Sequence, residues 1–169
     1  MPTLQLRADC EKCCGLCCVA PAFYGAQGFG FDKPAGRACV NLQPDFRCCI
    51  HHELEVRGFP ACASFDCYGA GQWVTQELFG GRSWHSSPQL AREMFNAYSR
   101  YRPLHELMAL MHLALRRASV EDGRQLQQRL HFIEKLCESG EALTVAVQPQ
   151  QLRSVILEQL RTMRFVPGD

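Results

Sequence analysis

The segment Asp9 to Pro21, DCEKCCGLCCVAP, places Cys10, Cys13, Cys14, Cys17 and Cys18 within nine residues. Adjacent cysteines make poor internal disulfides, because neighbouring Cα atoms sit about 3.8 Å apart and a bridge needs about 4.4–6.8 Å. A metal ion is less demanding. C-x2-C lets the chain turn once and aim two thiolates at one ion, with Zn–S near ~2.3 Å in a tetrahedron. That spacing occurs twice in succession, as Cys10–Cys13 and Cys14–Cys17, so the register stays open. Gly15 suits either register, since a tight knuckle asks for positive φ and lets backbone N–H groups approach sulfur.

Cys39, Cys48, Cys62 and Cys67 follow in loops punctuated by Pro44, Gly58 and Pro60, a layout that can fold them back onto the first cluster. Ten of the eleven cysteines lie before residue 68. Cysteine is also a common buried residue, but a plain thiol core gives no reason for crowding into turns. Cys137, beside Leu136 at an apolar helical position, reads as core.

Together, CEKCCGLCC and CVNLQPDFRCCIHHELEVRGFPACASFDC resemble the bacterial Cys-rich proteins described as zinc- or iron-chelating domains, over roughly the first 70 residues. GFGFDKPAG and FDCYGAGQ, with the helices that follow, are similar to the leading part of certain actinobacterial proteins that carry pentapeptide repeats; no such repeats occur here. The resemblance implies eight ligands, at Cys10, Cys13, Cys17, Cys18, Cys39, Cys48, Cys62 and Cys67, with Cys14 and Cys49 as additions to the pattern. Arg57-Gly58-Phe59-Pro60 stands where many members have Arg-Pro. A class of the family that methylates flagellin lysines is associated with an iron–sulfur cluster, so iron is the alternative to zinc.

Eight thiolates exceed one tetrahedral ion, so the expectation is two four-cysteine zinc sites, with a multinuclear or iron–sulfur centre as the alternative. Zinc is preferred because the C-x2-C-x2-C-x3-C-P ferredoxin run is absent. Eight ligating thiolates add eight negative charges and two divalent ions four positive ones, moving the formal +1 to −3. Lys12, Arg37, Arg47 and Arg57 lie close enough in sequence to offset that excess.

Other groups are weaker candidates. His51 and His52 follow Cys48-Cys49 and could supply a nitrogen ligand, but read as solvated loop residues. His105 and His112 flank Met108 and Met111 in the manner of copper-binding side chains, but a helix core with methionine gap-fillers is simpler. Tyr68 to Gly71 is too short for a phosphate loop. A cysteine with a histidine and Asp66 shows no nucleophile signature, so no catalytic constellation emerges and a non-enzyme is favoured.

Positioning these residues requires two regions with different logic: a Cys-rich metal-binding lobe at 1–72 and a helical region at 73–169. The fold class expected is mainly α, a loop-rich, metal-stapled lobe packed on a helical bundle. Ser87-Pro88 signals a helix start, followed by Leu90, Met94, Phe95, Tyr98 and Tyr101. Pro103 is expected to interrupt or kink that run before Leu104, Leu107, Met108, Met111 and Leu115 continue it. A second helix opens near Glu121, buries Leu126, Leu130, Ile133 and Leu136, and stops at Gly140. A third starts at Pro149, with Leu152, Val155, Ile156, Leu160 and Met163 as its apolar face. Ala142 to Val147 fits a short strand or an extended connection.

Composition is that of a globular chain, 47% apolar and 21% charged over 169 residues. A formal charge of +1 gives no drive toward nucleic acid or an anionic membrane. MPTLQLRADC lacks the basic and apolar regions of a secretory leader, and no stretch approaches a membrane span. The expected setting is cytoplasmic, where thiols stay reduced. The expected partners are metal ions, with a protein partner possible through the helical face.

Overall fold

The computed structural model describes residues 4–143 and 148–164. The molecule is mainly helical; extended pairing among the described residues takes the form of isolated bridges, among them the antiparallel Phe23–Lys33 and Leu42–Cys48. Up to residue 69 the chain is turns and single helical turns, including α1 (Leu16–Val19) and α2 (Pro60–Ala63). From there α3 (Ala70–Gln72) runs directly into a π-helical segment, Trp73–Leu78.

Three longer helices follow, each with a local reason to start. α4 (Pro88–Leu115) is capped by Ser87, whose hydroxyl accepts from the Leu90 N–H at 3.1 Å, with proline in the first turn. α5 (Val120–Glu138) is capped by Ser119, which accepts from the Asp122 N–H at 3.2 Å, while Glu121 and Asp122 meet the positive end of the helix dipole. Gly140, at φ +75°, follows its end. α6 (Pro149–Thr162) begins at the proline itself.

Pro103 does not interrupt α4, which is one element of 28 residues. Proline removes one intrahelical N–H, yet Tyr98, Tyr101, Leu104, Leu107, Met108 and Met111 on both sides of it are buried in the same core, and that burial outweighs the lost bond. Val155 is a second departure. It is 54% exposed, and Ile156 is the fully buried residue of α6. Of the Ala142 to Val147 stretch, Ala142 and Leu143 belong to a 3-10 turn, and 144–147 lie outside the described residues.

The main core crosses the sequence divide. Leu16, Val19, Ala70, Trp73 and Val74 join Met94, Tyr101, Met108, Leu126, Ile133 and Ile156 in one apolar cluster. A small satellite of Ile50, Leu54 and Phe59 lies beneath the 50–59 loop.

Polar side chains from the helical region also pin the N-terminal segment. The Gln72 amide accepts from the Asp9 N–H at 2.6 Å and donates to the Arg7 carbonyl at 2.9 Å. Gln76 donates to the Lys12 carbonyl at 2.8 Å, and the Trp84 indole N–H to the Cys14 carbonyl at 2.9 Å. The backbone on either side of Cys10 and Cys13 is thereby fixed against α3 and the segment after it.

Candidate metal centre

All eleven cysteines are free thiols. The knuckle that carries the first of them turns at Gly15, φ +70°, where a Cβ would meet Leu42 Cδ1 at 2.9 Å and the Phe46 carbonyl oxygen at 3.2 Å. Glycine is therefore required by both backbone and space. The turn directs the Gly15 and Leu16 N–H groups toward Cys13, where they favour its thiolate.

The knuckle separates Cys13 from Cys14. Cys14 is buried, with its sulfur 3.4 Å from Thr75 Oγ1. Thr75 spends its own hydroxyl proton on the Gly71 carbonyl at 2.8 Å, so the Cys14 S–H is the donor and Cys14 is held as a thiol. Cys13 faces the other way. Its sulfur and that of Cys67 border the space above Gly71, where a Cβ would meet Cys13 Sγ at 2.7 Å and Cys67 Sγ at 3.8 Å.

The mutual influence of the thiols shows which are neighbours. Burial pushes Cys13 up to about 12, and negative charge on Cys14 and Cys67 adds to this. Cys17 is raised by its contact with Cys18, then by burial and by charge on Cys13 and Cys67. Cys10 is raised by burial, then by Cys67 and, further down, Cys18, while Arg47 opposes this. Cys67 thus acts on Cys10, Cys13 and Cys17 alike, and these four are called the first quartet, with charge on Cys18 reaching Cys10 as well.

Cys18 belongs to a second. Burial raises Cys39, Cys48 and Cys62, the last to about 11, and charge on Cys18 acts on all three. Cys39 and Cys48 act on Cys62 as well, and Cys49 acts on Cys39 and Cys48. Backbone bonds hold this group: the Cys39 N–H donates to the Cys18 carbonyl at 3.0 Å, and the Asn41 N–H to Cys39 Sγ at 3.5 Å. The Leu42–Cys48 bridge places Cys48, and the Ala61 N–H on the Gly28 carbonyl, at 3.0 Å, places α2 and its Cys62. The quartets meet at Cys17 and Cys18, whose sulfurs are 3.9 Å apart.

The sulfurs are neighbours without being drawn in around a point: among the described residues, no group of three or more His, Cys, Asp or Glu side chains is placed so as to hold a metal ion. Two features nevertheless fit a thiolate-bound cation. One is the cradle above Gly71, which only a residue without a side chain leaves open to two sulfurs. The other is the Tyr98 hydroxyl, buried without a hydrogen-bond partner, on which charge at Cys17, Cys67 and Cys13 acts.

Of the remaining candidates, Cys49 is exposed and Cys137 fully buried, with burial pushing its thiol to about 12. His51 and His52 are exposed. His105 and His112 diverge: His105 is fully buried, its Nδ1 2.8 Å from the Tyr68 carbonyl, whereas His112 is half exposed beside Glu134 at 3.9 Å. Among the offsetting cations, Arg47 favours the Cys10 thiolate, while Lys12 pairs with Asp9 and Arg57 with Glu53.

The chain is 35% identical over 160 residues to "Uncharacterized protein YybG" of Bacillus subtilis (strain 168). The match covers 92% of this chain and 56% of the relative, so the chain spans little more than half of that protein. No family model and no solved structure matches.

Two residues near the quartets carry no signal in their local sequence. Lys33 is buried, and its ammonium donates to the carbonyls of Val19 at 3.2 Å, Pro21 at 2.6 Å, Pro34 at 3.2 Å and Arg37 at 2.8 Å. It also lies 4.8 Å from the centre of the Phe23 ring, and its charge favours the thiolates of Cys18 and Cys39. A lone lysine in GFGFDKPAG, among glycines and aromatics, is the only hint of it. Tyr98 reads as part of an apolar stripe, and its hydroxyl becomes distinctive only once three cysteines are beside it.

Proposed function

We propose that the protein binds metal through two adjoining four-cysteine sites, Cys10, Cys13, Cys17, Cys67 and Cys18, Cys39, Cys48, Cys62, and that the ions are zinc. What supports this reading is that free thiols from separate loops approach one another around the Cys17–Cys18 pair, whose sulfurs are 3.9 Å apart, and around the space over Gly71 that Cys13 and Cys67 border. Each quartet would close on an ion by rotation of its thiols about χ1, which moves sulfur and leaves the backbone in place.

A closed all-thiolate zinc site is redox-silent and chiefly structural. In this reading the ions staple the loops of the N-terminal lobe, whose satellite core of Ile50, Leu54 and Phe59 is too small to order them alone. Free thiols suit a reducing compartment such as the cytoplasm.

The test is purification without air, followed by elemental analysis and an absorption spectrum. About two zinc ions per chain and no visible colour are expected. Iron with acid-labile sulfide and a brown colour would replace zinc by an iron–sulfur centre on the same thiols. Protein that takes up neither zinc nor iron would end the metal reading.

A further inference from the structure

This inference rests on the metal reading of the first quartet and adds a residue to it. Four of the buried side-chain atoms without a hydrogen-bond partner, Trp73 Nε1, Tyr98 Oη, Arg102 Nε and His105 Nε2, belong to α4 or to the segment that packs on it. Tyr98 is the one whose surroundings point to a ligand. It is 3% exposed, and the negative charges that act on its hydroxyl are those of Cys17, Cys67 and Cys13, in that order. Arg102, one turn further along α4, acts on it with opposite sign.

A buried hydroxyl needs an acceptor. Tyr101, on the same helix, has one in the Cys137 carbonyl at 3.2 Å. The acceptors that pack against the same core cluster as Tyr98 are the sulfurs of Cys13, Cys17 and Cys67, none of them in hydrogen-bond range of the hydroxyl until a thiol turns toward it. A neutral thiol is a weak acceptor, whereas a metal-bound thiolate is ionised and accepts strongly. We infer that Tyr98 is a positioning residue of the first quartet, donating its hydroxyl proton in a hydrogen bond to a ligating sulfur of Cys13, Cys17 or Cys67. The thiol proton leaves to water when the cation binds, and tyrosine keeps its own. The bond draws electron density from the sulfur, making it a poorer charge-transfer donor and a less reactive nucleophile. The second quartet has a different donor, the Asn41 N–H on Cys39, so the two sites are inequivalent.

The experiment uses the full chain loaded anaerobically with cobalt(II) as the spectroscopic probe, and separately with zinc. In Tyr98→Phe, the thiolate-to-cobalt charge-transfer absorption of one of the two ions is expected to move to longer wavelength. One of the two zinc ions should be given up to a chromogenic chelator about 10- to 100-fold more readily, the usual loss of affinity when a hydrogen bond to a metal ligand is removed. Tyr101→Phe should change neither. Site-specific 3-fluorotyrosine at position 98, a stronger donor that preserves the packing, should move the band to shorter wavelength, and it provides the test if Tyr98→Phe does not fold. Wild-type spectra and zinc transfer in both position-98 variants would overturn the role of Tyr98 and leave metal binding intact. A wild-type chain that takes up neither cobalt nor zinc would overturn both.

Discussion

The sulfurs of Cys17 and Cys18, on consecutive residues of α1, stand 3.9 Å apart, yet their surroundings differ: charge on Cys13 and Cys67 acts on Cys17, and the Lys33 ammonium on Cys18. Two ions bound there would share one backbone turn. Cys17→Ser is expected to empty the first site and Cys18→Ser the second, each leaving about one zinc per chain by elemental analysis. Loss of all metal from both variants would mean a single shared centre, and two zincs retained in either would remove that cysteine from the ligands.

Gly71→Ala tests the two proposed sites separately without replacing a ligand. The new Cβ would meet Cys13 Sγ at 2.7 Å and intrude on the cradle shared with Cys67. In a helix, alanine is otherwise favoured over glycine by about 1 kcal/mol, so the helical signal should persist. The expected result is one zinc per chain with a nearly unchanged far-ultraviolet spectrum. A full complement of two would show that the space over Gly71 is not part of a site.

Cys14 and Cys49 should be dispensable for metal. Cys14 is committed to Thr75 and Cys49 is exposed. Cys14→Ala is expected to keep both zincs while costing about 1 kcal/mol in a denaturant melt, through the lost S–H···O bond and lost packing. Cys49→Ser should change neither quantity. A drop in zinc for either would redraw the ligand set.

Lys33→Met should be costly although Lys33 binds nothing external. The variant leaves the carbonyls of Val19, Pro21, Pro34 and Arg37 without their ammonium, a loss on the order of 3 kcal/mol. Lys33→Arg should not rescue it, because a planar guanidinium cannot reproduce that cage. A melting profile like the wild type's for Lys33→Met would show that the cage contributes little.

Acid should destabilise the helical region through His105. Burial lowers His105 from 6.5 to about 4, while the Tyr68 carbonyl partly opposes the shift. The unfolded chain therefore takes up this proton first as pH falls. The stabilisation is complete above about pH 6.5 and is lost progressively toward pH 4, by about 3 kcal/mol. His105→Asn, which retains a donor for Tyr68, should show a shallower decline over that window in metal-free protein. Parallel declines would assign the acid sensitivity elsewhere.

The parts of this structure that were legible in the sequence are those governed by local chemistry. Ser87-Pro88 and Pro149 start their helices where their hydroxyl and ring require, and the helix expected near Glu121 starts within one residue of it. Gly15 needed a positive φ on the evidence of its neighbours alone. That Pro103 does not end its helix was not legible, because the lost backbone bond is visible in sequence while the core on both sides of it is not. The division of thiols between Cys17 and Cys18, the separation of Cys13 from Cys14, and the surroundings of Lys33 and Tyr98 all depend on contacts between residues far apart in the chain. Spacing carries no record of those.

The Gln72 amide grips the chain on both sides of residue 8, through Arg7 and Asp9, so a shift by a single position would break both bonds at once. The approach to Cys10 is thus set in register by the folding of the helices. On the proposed metal reading, entropy that a floppy N-terminal arm would surrender at capture would already have been surrendered in folding, so that Cys10, exposed as it is, would meet an ion pre-organised.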